Sequence, residues 1–111
     1  FLLIVQAWEP IIFYGIVVDK TGNRLSGCNV TLKGTANAIV TNTCGEFSIN
    51  IDQDEPILVF HAMHYEDLHA FEIKITRTEL ADTIVFQIGN SKASKNCEKA
   101  INNKLKKIRI R

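Results

Sequence analysis

The chain predicts an all-β fold, an antiparallel sandwich with a single core, and three observations carry that expectation. Between Ile16 and Ile88 apolar residues alternate with polar ones in short runs, the signature of strands with one buried face. Each run is closed by turn chemistry, such as Asp19-Lys20-Thr21-Gly22-Asn23 and Asn42-Thr43-Cys44-Gly45. With 111 residues the chain is one domain, long enough for a sandwich core and too short for a separate catalytic domain beside it.

Taken in order, Phe1 to Ala7 is an apolar run ending in Val-x-Ala. It reads either as the end of a signal peptide cleaved after Ala7 or as an N-terminal strand on the sandwich edge. It falls well short of the ~20 apolar residues a spanning helix needs. Pro10 suits a strand start, and Trp8, Ile11, Ile12, Phe13 and Tyr14 lead into the first strand, with Ile16 and Val18 alternating with Val17. After the Asp19–Asn23 turn, Cys28, Val30 and Leu32 alternate with Asn29, Thr31 and Lys33, and Gly34 ends the strand. Ile39, Val40 and Thr41 form a short run, and Phe47, Ile49 and Ile51 form the next, so a hairpin cornered at Gly45 is expected between them. Asp52 to Pro56 is an acidic loop. Ile57-Leu58-Val59-Phe60 is continuous and apolar, as for a central strand buried on both faces. Phe71, Ile73 and Ile75 alternate with Glu72 and Lys74, Arg77 to Asp82 is a polar connection, and Thr83 to Ile88 is a last strand.

The tail changes character. Residues 1–91 hold five basic and eleven acidic side chains, a net of −6, whereas residues 92–111 hold eight basic ones against Glu98, a net of +7. Ala93, Cys97, Ile101, Leu105 and Ile108 recur every three or four residues, the stripe of a basic amphipathic helix. Lys107 to Arg111 also alternates and reads equally as a strand. Three segments follow: 1–11 as an N-terminal segment, 12–90 as the sandwich, and 91–111 as the tail. Lys99, Lys104, Lys106, Lys107 and Arg109 are the candidate contacts, either to an anionic membrane surface or to the acidic body itself. Nucleic acid is not expected, because the tail lacks interleaved aromatics for base stacking.

Three further groups bear on chemistry. The cysteines, Cys28, Cys44 and Cys97, fit no zinc spacing. Cys28 alternates with Val30 and Leu32 and points inward, while a Cys44–Cys97 disulfide is open to the chain in an oxidising envelope. His61, His64 and His69 lie near Glu66 and Asp67 and are the candidate metal ligands. Against this, His61 and His64 are three apart and face opposite sides of a regular strand, so surface and turn histidines are the simpler reading. No G-x-S-x-G, H-E-x-x-H or P-loop is present, and the carboxylates at 52, 54, 55, 66 and 67 lie in loop-like stretches without apolar surroundings. No cofactor is expected.

The order and spacing of these elements resemble the carboxypeptidase regulatory-like family. The resemblance runs over roughly residues 12–88 on Gly15, Val17, Asp19, Gly22, Leu25, Gly27 and Val30, then Lys33-Gly34-Thr35, Thr41, Gly45-Glu46-Phe47-Ser48-Ile49, Leu58, Phe60 and Tyr65. His64 stands where the family has Gly, Asn42 where it often has Asp, and Cys28 where it usually has Val. The resemblance implies a transthyretin-like Greek-key sandwich of about seven strands, followed by a short helix or an extended tail. It also implies the settings in which such domains occur: beside metallocarboxypeptidase catalytic domains, as the N-terminal extension of TonB-dependent outer-membrane receptors, or as stand-alone envelope proteins. The catalytic hydroxyisourate hydrolase branch of the same sandwich carries a C-terminal Tyr-Arg-Gly-Ser, and this chain reads Ile108-Arg109-Ile110-Arg111 there. The expected function is a non-catalytic interaction or scaffolding module of the cell envelope that docks a protein partner or neighbouring domain. The alternatives are the receptor accessory domain and a small ligand- or carbohydrate-binding domain.

Overall fold

The computed structural model of the chain describes residues 10–62, 70–88, 97 and 99–110. Over these residues the chain forms two four-stranded sheets packed face to face. The strands are β1 (Ile11–Val18), β2 (Cys28–Leu32), β3 (Ala38–Val40), β4 (Glu46–Ile51), β5 (Ile57–Ala62), β6 (Phe71–Lys74), β7 (Ile84–Ile88) and β8 (Lys107–Ile110). The first sheet runs β4-β1-β7-β8 and the second β3-β2-β5-β6. The sandwich is the expected one, with an eighth strand drawn from the tail. The second sheet is antiparallel throughout, but β1–β7 and β7–β8 are parallel pairs. Parallel neighbours need a long connection. Between β1 and β7 that connection contains the entire second sheet. Side-chain alternation reports which face is buried and carries no information about a neighbour's direction.

The core lies between the sheets. Phe13 and Val17 from β1, Phe47, Ile49 and Ile51 from β4, and Ile84, Phe86 and Ile88 from β7 face Cys28, Val30, Leu32, Leu58 and Phe60 of the second sheet. Phe60 and Phe86 pack with ring centroids 4.7 Å apart, and Phe13 and Phe47 meet the same group edge-on. Gly15 is the seat of Phe47, because a Cβ there would lie 2.2 Å from the ring. Cys28 points inward as expected and is fully buried. Its burial pushes the thiol up to about 12, so it is a packing residue and not a reactive one. On β5, Leu58 and Phe60 are buried while Ile57 and Val59 are half-buried. The strand is therefore fully buried on one face and half-buried on the other.

The turns follow the side-chain chemistry read from sequence. The Asp19 Oδ1 accepts from the Thr21 amide, the Thr21 hydroxyl and the Asn23 amide, closing the first turn. The Asn42 Oδ1 accepts from the amides of Cys44 and Glu46, and Gly45 sits at φ +68°. That turn does not make the expected hairpin. β3 pairs with β2 and β4 with β1, so Asn42–Gly45 carries the chain from one sheet to the other. It is pinned there because the Val17 amide donates to the Gly45 carbonyl at 2.7 Å. Thr41, buried beside it, donates its hydroxyl to the Leu25 carbonyl and accepts from the Cys28 amide.

The tail takes the strand reading over Lys107–Ile110 and corrects the helical one. Its described residues hold no helix. Residues 99–106 form a strap across the outer face of the first sheet, with a turn in which the Leu105 amide donates to the Asn102 carbonyl, and β8 follows. Ile101 and Leu105 pack on Ile16, Val18 and Val85, a second and smaller apolar cluster. Ile108 and Ile110 then turn inward to the main core. Spacings of three and four residues suit a turn followed by a strand as well as they suit a helix. The free face of β1 and the free edge of β7 decide between them, because the strap buries apolar area that an isolated basic helix would leave exposed. Cys97 is bonded to Cys44, so the envisaged disulfide is present. The first nine residues, and with them both readings of the N-terminal run, lie outside the described residues.

A candidate interaction groove

The outer face of β1 presents Ile12, Tyr14, Ile16 and Val18 in alternation. The strap covers Ile16 and Val18, which are 8% and 1% exposed, whereas Ile12 and Tyr14 are 51% and 54% exposed. Across the register, Ser48 of β4 stands opposite Tyr14 and Glu46 opposite Ile16. At the adjoining sheet edge, Ile39 and Val40 of β3 are also exposed. Together they bound an open groove of about 530 Å³, with Tyr14, Ile39 and Val40 as its apolar walls and Asn42, Ser48 and Thr83 as polar points on its rim. An apolar patch of this kind marks a contact site more often than scattered single residues do.

The groove's upstream rim is electrostatically closed. The Asn42 amide donates to the Glu46 carboxylate and the Lys99 ammonium lies 3.5 Å away, holding Glu46 below the usual carboxylate range. Arg24, 6% exposed, donates to the Cys44, Lys99 and Ala100 carbonyls, tying the Asn42–Gly45 turn to the strap. Sequence reasoning passed over Arg24, Tyr14 and Val40. Tyr14 and Val40 look like ordinary strand residues, and the signal that Arg24 is buried comes from a strap more than seventy residues away.

The basic residues singled out in the tail fall on the strap and on β8. Lys99 pairs with Glu46 and Lys106 with Glu79. Lys104 is exposed in the turn, and Lys107 and Arg109 project from β8 on the outer side of the first sheet. Of the three histidines, His61 lies on β5 opposite Asn29, half-buried, and His64 and His69 lie outside the described residues. Among the described residues no three His, Cys, Asp or Glu side chains come together in a way that could hold a metal. Among the same residues no helix is long and apolar enough to cross a membrane.

Lys106 and Glu79 supply a pH test. The Lys106 ammonium and the Thr76 amide hold the Glu79 carboxyl below its usual range, and its side chain is 11% exposed. A carboxylate with a lowered folded pKa adds stability above the unfolded value of about 4.3 and loses it as pH falls through the folded value. Melting curves of Glu79→Gln and the parent protein, recorded from neutral to acid pH, should therefore separate above that range and converge below it. A constant offset at every pH would reject the ion pair as the cause.

The model of the CarboxypepD_reg-like domain matches residues 13–105. The chain belongs to the CarboxypepD_reg-like family. The match extends through the strap, which packs as part of the domain. No curated protein and no solved structure matches the chain. Members of this family serve as regulatory, non-catalytic domains.

Proposed function

We propose that this CarboxypepD_reg-like domain is a non-catalytic interaction module of a cell-envelope protein, and that it docks a protein partner or neighbouring domain in the groove beside Tyr14. The observation that carries this reading is the exposure of Tyr14, Ile39 and Val40 around one groove, with Ile12 exposed beside it on β1; among the described residues these four are the exposed large apolar side chains. A half-exposed Tyr brings large contact area at low entropic cost together with a hydroxyl for the rim of an interface. The Cys44–Cys97 disulfide supports the envelope, since such bonds persist in oxidising compartments. An accessory position beside a receptor barrel or a peptidase domain is a particular case of this reading, with the groove meeting a neighbour in the same polypeptide.

The test is site-specific photo-crosslinking of the protein in its own cells. A cross-linker replacing Tyr14 should give an adduct of defined mass, and one replacing Glu72, exposed on the opposite sheet, should not. Adducts at both positions, or at neither, would reject the groove as the docking site.

A further inference from the structure

Ile16 belongs to two surfaces at once. It lines the open groove, and with Val18 and Val85 it forms the patch beneath Ile101 and Leu105. The outer face of β1 is thus one apolar strip, open at Ile12 and Tyr14 and roofed by the strap at Ile16 and Val18. The strap's upstream end is held at the groove's own rim. Cys97 is bonded to Cys44 in the rim turn, Arg24 grips the Lys99 and Ala100 carbonyls, and Lys99 pairs with Glu46.

We propose that the Cys44–Cys97 bond is a thiol-responsive latch on this strip: its reduction by a dithiol lets residues 99–105 lift from Ile16, Val18 and Val85 and lengthens the docking groove along β1. The proposal rests on the docking reading above. In the step itself, one thiolate of the reductant attacks a cystine sulfur and the Cys44–Cys97 bond breaks. The reductant's second thiol then closes its own disulfide. Two electrons and two protons pass to the protein, leaving Cys44 and Cys97 as free thiols.

Three features suit the bond to this exchange. Both cysteines are half-buried and not sealed in the core, and Cys97 borders a polar cleft of about 290 Å³ that also holds Arg24 and Lys99. Cations beside a cystine favour the thiolate that must leave. Cys28, the remaining cysteine, is buried in the core and takes no part in reshuffling. What remains after reduction is enough to keep the opening local. β8 stays paired with β7, and Lys106 stays paired with Glu79, so the strap is still anchored at its downstream end. The bond closes a loop across 53 residues, and without it Arg24, Lys99 and two apolar side chains are what hold the upstream end down among the described residues.

Native-state hydrogen exchange of the oxidised chain and of the chain treated with dithiothreitol tests the latch. The reporter is the Leu105 amide, bonded to the Asn102 carbonyl, and the Val85 amide, bonded to the Lys106 carbonyl at the retained downstream anchor, is the control. The Leu105 amide should exchange about tenfold faster or more after reduction, while the Val85 amide and the Val30 and Phe60 amides of the second sheet keep their rates. The adduct yield at position 14 should rise in parallel. An unchanged rate at Leu105 would overturn the proposal, and so would uniform acceleration across both sheets, which signals global loosening. Faster exchange with no gain in adduct would sever the latch from docking. Exchange reads the latch whether or not the groove binds anything, so a failure of the docking reading shows separately as the absence of adducts in either state.

Discussion

Gly45→Ala is expected to unfold this domain at a much lower temperature than Gly22→Ala, although both glycines have positive φ. Gly22 sits at φ +88° with nothing within 4 Å of where a Cβ would go. The cost there is conformational, about 1–2 kcal/mol for an L-residue in the left-handed region. Gly45 carries the same cost at φ +68°, and its Cβ would also lie 2.4 Å from the Val17 carbonyl oxygen and 3.0 Å from the Leu25 amide nitrogen. Those are backbone atoms of β1 and the loop after it, so relief requires moving a strand and not a side-chain tip. The Gly45 carbonyl moreover accepts from the Val17 amide, and that bond would stretch with any shift. A total of about 2–4 kcal/mol follows from the strain and overpacking together, a drop of roughly 10–15 °C for a domain of this size. Thermal melts of the two variants decide it. Equal losses would mean that the crossing turn tolerates movement and that the contact with β1 carries little.

Phe60→Ala is the second large effect. Phe60 is fully buried on β5, with Phe86 at 4.7 Å across the sandwich and Phe47 at 6.1 Å. Truncation removes a ring's contacts from both sheets at once and leaves a cavity between strands that are held in register on each side. A loss of about 3–5 kcal/mol is expected, against less than about 1.5 kcal/mol for Phe60→Leu if the neighbouring rings repack. Urea denaturation measures both. A loss below about 2 kcal/mol for the alanine variant would show that Phe47 and Phe86 collapse into the space and that the aromatic group is less fixed than its geometry implies.

Much of the strand content was legible along the chain, because alternation is local. Cys28, Val30 and Leu32 were assigned inward, Asp19 and Asn42 were assigned to turns, and each does what its chemistry dictates. The misreadings share one cause. The turn at Gly45 looks like a hairpin corner because Thr41 and Phe47 flank it at hairpin distance, yet which sheet each flanking strand joins depends on β2 and β1, which are remote. Ile57 to Phe60 looks buried on both faces because the run is continuous, whereas cover on the outer face must come from elsewhere in the chain. Ile101, Leu105 and Ile108 share a helical spacing, and the choice against a helix comes from an apolar patch on β1 and β7. The groove was the least legible feature, since it lies between the outer face of β1 and the edge strand β3 of the other sheet, and exposure of Tyr14 depends on where the strap stops.

Local patterning sets seven of the eight strands, the inward face of most of them and the turn residues, through period-two alternation and side chains acting on their own backbone, and the order of the motifs carries the family. The tertiary structure alone decided the parallel pairing of β1 with β7 and of β7 with β8, the fold of the tail, the partnership of Cys44 with Cys97, the burial of Arg24 and the half of β1 that is left open. Each of these is set by contacts between segments far apart in the chain. There the apolar area left free on one element selects what covers it, and no local pattern records that choice.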